Sequence, residues 1–170
     1  LTLGEPNVKQ HLQKMFGELG VQDRAKYIAS LFIDDLADVV AQGVDERFSL
    51  ARYGERLAAS QPSFAPLMEE LESPNPTIIA EMLDELTHTL LNENQPDLVC
   101  VTAPFPGNVY GAFRIAREIR NKNPQIKIAL GGGYPNTELR RLSDPRVFDY
   151  FDFVTLDDGE RPLVNLIEYI

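Results

Sequence analysis

The stretch "IKIALGGGYP" (residues 126–135) decides how this chain is read. Its first five residues are mostly apolar and include two isoleucines, a composition that suits a short strand covered on both faces. Three consecutive glycines follow, which forgo side-chain packing and carry the largest backbone-entropy cost of any residue. Glycines placed at the end of a buried strand mark a point where something lies close against the backbone. A ligand or another chain would need that access; a tight turn alone would explain one glycine or two.

Two further runs share the grammar of the first. "LVCVT" (98–102) and "DFVTL" (152–156) are short, mostly apolar and rich in β-branched residues. Between 98–102 and 126–130, the residues Val109, Ala112, Phe113, Ala116 and Ile119 recur at helical spacing and define one apolar face. After the third run, Pro162 suits a first helical turn, and Leu163, Leu166, Ile167 and Ile170 form a stripe. Strand, helix, strand, short helix, strand, helix is an α/β alternation, and it predicts a parallel sheet of at least three strands.

Residues 1–95 have a different period and are expected to be mostly helical. Asn7 with Gln10 makes a capping-box pattern before Val8, Leu12, Met15, Phe16 and Leu19, and Gly20 fits the stop. Asp23 is placed as the cap of a second helix with the stripe Ile28, Phe32, Leu36 and Val39 or Val40. Shorter helices are expected near 47–59 and 64–72, the latter capped by Ser63. Asn75-Pro76 opens a long helix whose inward face is expected to be Ile79, Met82, Leu83, Leu86 and Leu90. The domain reading is therefore a helical region over 1–95, a cap or insertion, and an α/β domain over 96–170.

Composition narrows the function classes. With 44% hydrophobic residues the chain can build a real core, and its 170 residues suit one domain or one domain with an added lobe. A net charge of −10 argues against sequence-independent nucleic-acid binding, which needs a basic face to displace counterions. No apolar run approaches a bilayer span, and no secretory segment opens the chain. A single cysteine, Cys100, cannot form an internal disulfide, so a cytoplasmic setting is expected. The chain starts at Leu1 and stops at Ile170 within an apparent helix, so it reads as a piece of a longer protein.

In an open parallel sheet, ligands lie outside the carboxyl ends of the strands. Three loops are expected there: "APFPGN" (103–108), "GGGYPN" (131–136) and "DDGE" (157–160). The glycine loop lacks the Lys-Ser/Thr of a P-loop and the spacing of a dinucleotide fingerprint. Asp157 and Asp158 follow a strand, so they could hold a magnesium ion in a receiver-like signalling module; helix entry is the plainer role for them. His11 and His88 are the only histidines and fall on predicted helices, at surface or boundary positions. With one cysteine, no zinc or iron–sulfur cluster site can be assembled from this chain's cysteines and histidines. Cys100, mid-strand, reads as an inert core thiol. No catalytic constellation is present, so the chain reads as a binding or docking module.

The block from Pro96 to Ile170 resembles the cobalamin-binding domain that precedes the catalytic core in many radical S-adenosylmethionine enzymes. "PDLVCVT" (96–102), Ala116-Arg117-Glu118-Ile119, "IKIALGGGYP" (126–135) and "DPRVFDYFDFVTLDDGE" (144–160) carry the resemblance. It departs from the family pattern at Tyr134, where His is common, and at Asp157 to Glu160, which replace a Gly-Glu-Gly-Glu turn. The Asp-x-His-x-x-Gly signature that supplies a lower axial histidine to cobalt is absent. The family's first one or two strands have no counterpart in residues 1–95.

The resemblance implies a Rossmann-like, flavodoxin-like sheet and a cobalamin cofactor. Thr102, Gly131, Gly132, Gly133 and Tyr134 would line its site, with Asp158, Gly159 and Glu160 at the rim. The corrin ring would lie over the strand ends, its nucleotide tail beside the glycine loop. The iron–sulfur cluster and S-adenosylmethionine would belong to a downstream catalytic domain, the expected partner of this one. A sheet cut to three strands would expose an edge and favour a homodimer of the isolated fragment. The alternative within the same fold is a cofactor-free docking domain.

Overall fold

The computed structural model describes residues 10–11, 13–14, 21–48, 50, 64–141 and 143–170. The chain divides into two compact units, Leu1–Leu50 and Ala51–Ile170. The first contains helix α1, Val21–Gly43. Asp23 lies inside its first turn rather than capping it, where negative charge suits the helix dipole. The stripe Ile28, Phe32, Leu36 and Val39 is exposed. The helices expected over 7–20 and 47–59 fall mostly outside the described residues, as does Ser63.

The second unit runs α2 (Ala65–Leu71), α3 (Ile78–Asn94), β1 (Leu98–Thr102), α4 (Val109–Lys122), β2 (Lys127–Gly131), α5 (Gly133–Thr137), β3 (Phe153–Val154) and α6 (Glu160–Tyr169). Its three strands are parallel and ordered β1-β2-β3, so the expected α/β alternation is present. β2 lies one residue later than the run 126–130, and β3 is shorter than 152–156. Pairing nevertheless extends past β3 on both sides: the Asp152 N–H donates to Ile128 O and the Thr155 N–H to Leu130 O, each at 2.8 Å.

Strand alternation sends Val99 and Val101, with Ile128 and Leu130, to the face covered by α4. There Ala112, Phe113, Ala116 and Ile119 are buried, as their spacing predicts. Phe113 is the hub of this core. Its ring meets Phe64, Tyr150 and Phe151 edge-on at centroid distances of 5.3, 5.1 and 5.0 Å, the geometry aromatic quadrupoles prefer. Leu71 of α2 and Leu91 of α3 join the same cluster, so these helices belong with the sheet.

Helix α3 starts one step later than Asn75-Pro76 suggests, with Thr77 as N-cap accepting from the Ala80 N–H at 3.2 Å. Its buried face corrects the expected one. Ala80, Thr87 and Leu91 are buried, whereas Ile79, Met82, Leu86 and Leu90 are exposed. Of the expected set only Leu83 is partly buried, on the side that meets α4: a Cβ on Gly111 would lie 3.6 Å from it. The same side carries a buried ion pair. Arg114, 2% exposed, donates through Nε and Nη2 to the two Asp84 oxygens at 2.7 and 2.5 Å, and through Nη1 to the Tyr110 hydroxyl at 3.0 Å.

A second ionic knot ties the sheet's far strand to α4. One Asp152 oxygen accepts the Ile128 N–H at 2.9 Å and Arg120 Nη2 at 2.6 Å, and the other accepts Lys127 Nζ at 3.3 Å. Partial burial works to raise the Asp152 carboxyl; the Ile128 N–H, Arg120 and Lys127 outweigh it, and the pKa lies below the ordinary value. A depressed folded pKa stabilises at pH above the unfolded carboxylate value of about 4. That contribution is lost as pH falls through the folded value. Asp152→Asn should therefore be less stable than the parent at neutral pH, with the gap shrinking below about pH 4. Urea unfolding at a series of pH values measures it; a gap that stays constant would show that the carboxylate charge is not involved.

Candidate functional site

The other face of the sheet carries the small and polar phase of the strands. Cys100 and Thr102 on β1 pair with Ala129 and Gly131 on β2. Leu166 of α6 is buried on this side, and the Phe153 ring meets Tyr169 edge-on at 6.4 Å. Between α6 and these strands runs a groove of about 300 Å³. It is lined by Cys100, Val101, Thr102, Ala129, Gly131, Gly132, Thr155, Gly159, Glu160, Leu163 and Leu166. The groove lies at the carboxyl ends of the strands, where an open parallel sheet places its ligands.

Five of the residues singled out from the sequence meet here: Thr102, Gly131, Gly132, Gly159 and Glu160. Gly133, Tyr134 and Asp158 do not line the groove. Gly133 and Tyr134 open helix α5 instead. Tyr134 is half-buried, and that burial, with Glu138 nearby, raises its phenol pKa, so it is a neutral hydroxyl at physiological pH. Sequence reading missed Cys100, Val101, Ala129, Thr155, Leu163 and Leu166 as wall residues. The signal for Ala129 was present: from Val99 and Ile128 onward, β1 and β2 alternate bulky with small residues, and the small phases face the same way. Cys100, expected in the core, is exposed on this face, and partial burial raises its thiol pKa, so it is no activated thiolate.

The glycines have neighbours of their own. Gly132 has φ +107° and ψ −177°, a conformation that side-chain-bearing residues rarely adopt. A Cβ there would lie 2.8 Å from Ala103 O and 2.9 Å from its carbonyl carbon. At Gly133 a Cβ would lie 2.8 Å from Pro104 O, and at Gly131 it would lie 2.6 Å from the Thr155 hydroxyl. Two hydrogen bonds hold the loops together: Ala103 N–H to Gly131 O at 2.8 Å, and Tyr134 N–H to Ala103 O at 3.0 Å. What lies against the glycine backbone is thus the β1–α4 loop of the same chain and Thr155, the residue after β3. Gly131 and Gly132 still present backbone to the groove on their open side.

The third loop is held from the side. Asp157 adopts φ +65°, its N–H donates to Asn136 Oδ1 at 3.0 Å, and its carboxylate accepts from Arg140 Nη2. Asp157 is therefore already engaged by a cation. Among the described residues no group of three or more His, Cys, Asp or Glu side chains gathers to hold a metal ion. Neither Asp157 nor Asp158 caps α6, whose N-cap is Gly159 without a side-chain bond. His88 lies at the boundary, 3.1 Å from Glu118, away from the groove, and His11 is exposed.

Chemically the groove is nearly neutral. Among the described residues, Glu160 and the Cys100 thiol are its ionisable groups, the Thr102 and Thr155 hydroxyls and backbone groups its hydrogen-bonding ones, and no cation lines it. Such a wall suits an uncharged, flat group held by hydrogen bonds better than a bare phosphate. No described helix is long and apolar enough to cross a membrane. No protein-family model matches the chain. No curated protein and no solved structure matches it.

Proposed function

We propose that the second unit, whose α/β core spans residues 96–170, is a cobalamin-binding-like cofactor domain of a radical S-adenosylmethionine enzyme, non-catalytic by itself. The observation that carries this reading is the groove at the carboxyl ends of three parallel strands, walled by Ala129, Gly131 and Gly132. Residues without bulk let a ligand approach the sheet backbone, and about 300 Å³ is the lower end of small-molecule sites. That space fits the neutral benzimidazole end of a cobalamin tail rather than the whole cofactor. The corrin would then sit outside, over the loops that follow β1 and β2.

The residues present fit the tail and supply no lower axial histidine. Thr102 and Thr155 would hydrogen-bond it, Leu163 and Leu166 would pack on its flat face, and Glu160 at the mouth would accept a hydrogen bond. A bound corrinoid supplies a reactive cobalt centre; this chain's residues bind it, orient it and keep water from its tail. Iron–sulfur and S-adenosylmethionine chemistry belongs, in this reading, to a downstream partner domain.

Gel filtration of the purified chain after incubation with cyanocobalamin tests the reading. Its cyano ligand resists displacement by the Cys100 thiol, so colour reports non-covalent binding. Visible corrinoid absorbance should travel with the protein. Colourless protein at micromolar concentrations would reject cofactor binding and leave a docking domain of the same fold.

A further inference from the structure

The loop that closes one end of the groove is fastened to the helix that follows the glycines, by contacts that neither the core nor the sheet requires. Asn136 Oδ1 accepts two hydrogen bonds, from the Asp157 N–H at 3.0 Å and from Arg140 Nη2 at 2.6 Å. Arg140 also donates through Nε to the Asn136 carbonyl at 2.7 Å and through Nη2 to the Asp157 carboxylate. These contacts hold Asp157 at φ +65°, a left-handed conformation that non-glycine residues enter only when their surroundings favour it. Gly159 and Glu160, two and three residues on, form the groove's mouth.

We propose that Asn136 and Arg140 are positioning residues: they clasp Asp157 and so fix the mouth-forming loop 157–160 in its ligand-ready arrangement. The proposal rests on the reading of the groove as a ligand site. The neutral arm, Asn136 to the Asp157 N–H, carries most of the effect. The ionic arm is exposed, with side chains 47% and 74% accessible, and surface pairs of that kind contribute little. An open loop would lower apparent affinity by the fraction of molecules holding the closed arrangement.

Amide hydrogen exchange over residues 157–160, with cyanocobalamin affinity measured alongside, tests this. Asn136→Ala removes the shared acceptor and should speed exchange of the Asp157 amide about tenfold, the factor matching one lost hydrogen bond. Exchange in β2 should not change. Asn136→Asp keeps an acceptor oxygen and should restore protection and affinity together. Unchanged exchange in Asn136→Ala would overturn the clasp. Faster exchange with unchanged affinity in a chain that binds cyanocobalamin would overturn the positioning role. If the parent chain binds no cyanocobalamin, the cofactor reading and the ligand-positioning role fail together, and faster exchange then shows only that the clasp orders the loop.

Discussion

Asp84→Ala is expected to destabilise the second unit by about 3–5 kcal/mol, because it strands a guanidinium that is almost fully buried. Arg114 is 2% exposed, and both its forked bonds end on Asp84; Tyr110 alone would be left to it. The loss measures the penalty of an orphaned charge rather than the worth of the pair. Removing the charge as well should therefore recover stability. The double variant Asp84→Ala with Arg114→Leu should be clearly more stable than Asp84→Ala alone in urea unfolding. If the double variant is the worse of the two, the pair is not an isolated buried charge couple and the account of the α3–α4 seam is wrong.

Gly132→Ala is expected to lose about 2–4 kcal/mol. Part is backbone strain of about 1–3 kcal/mol for an L side chain at this φ and ψ, and the rest is a Cβ driven against backbone that cannot rotate away. The obstructing atoms are Ala103 O at 2.8 Å and the Ala103 carbonyl carbon at 2.9 Å. Gly133→Ala meets the Pro104 carbonyl oxygen without the unfavourable φ and should lose less. Gly131→Ala meets only the Thr155 hydroxyl, a side-chain atom that can turn, and should lose least. Thermal or urea unfolding of the three variants reads the order directly. A Gly131 variant worse than Gly132 would mean that loop closure is not what the glycines serve.

Local pattern made the central β-α-β segment legible. Val99, Val101, Ile128 and Leu130 alternate with smaller residues, and Ala112, Phe113, Ala116 and Ile119 fall on one helical face; the fold uses both patterns as read. Helix α3 was misread because it is apolar on two sides. Bulk favours Ile79, Met82, Leu86 and Leu90 as the inward set, whereas contact with α4 selects the side with Ala80, Thr87 and an Asp84 that can reach Arg114. That choice depends on a helix later in the chain, which no window on α3 contains.

The site was legible in the same partial way. The three glycines announce close approach, and Gly131 and Gly132 do line the groove, but their nearest neighbours are Ala103, Pro104 and Thr155. Those contacts are tertiary, so spacing within the glycine run says nothing of them. The charge of Asp157 is visible in the sequence and suggests helix entry first and a metal ligand second, while Arg140 and Asn136, which engage it, come from the segment after β2.

The most direct test of the groove as a corrinoid site uses its own thiol. Cys100 is the chain's only cysteine, it is exposed, and it lines the groove beside Thr102. The rate of its alkylation by iodoacetamide, followed by intact mass, should fall several-fold when the chain is saturated with cyanocobalamin. An unchanged alkylation rate in protein carrying bound cyanocobalamin would contradict the placement of the cofactor in this groove.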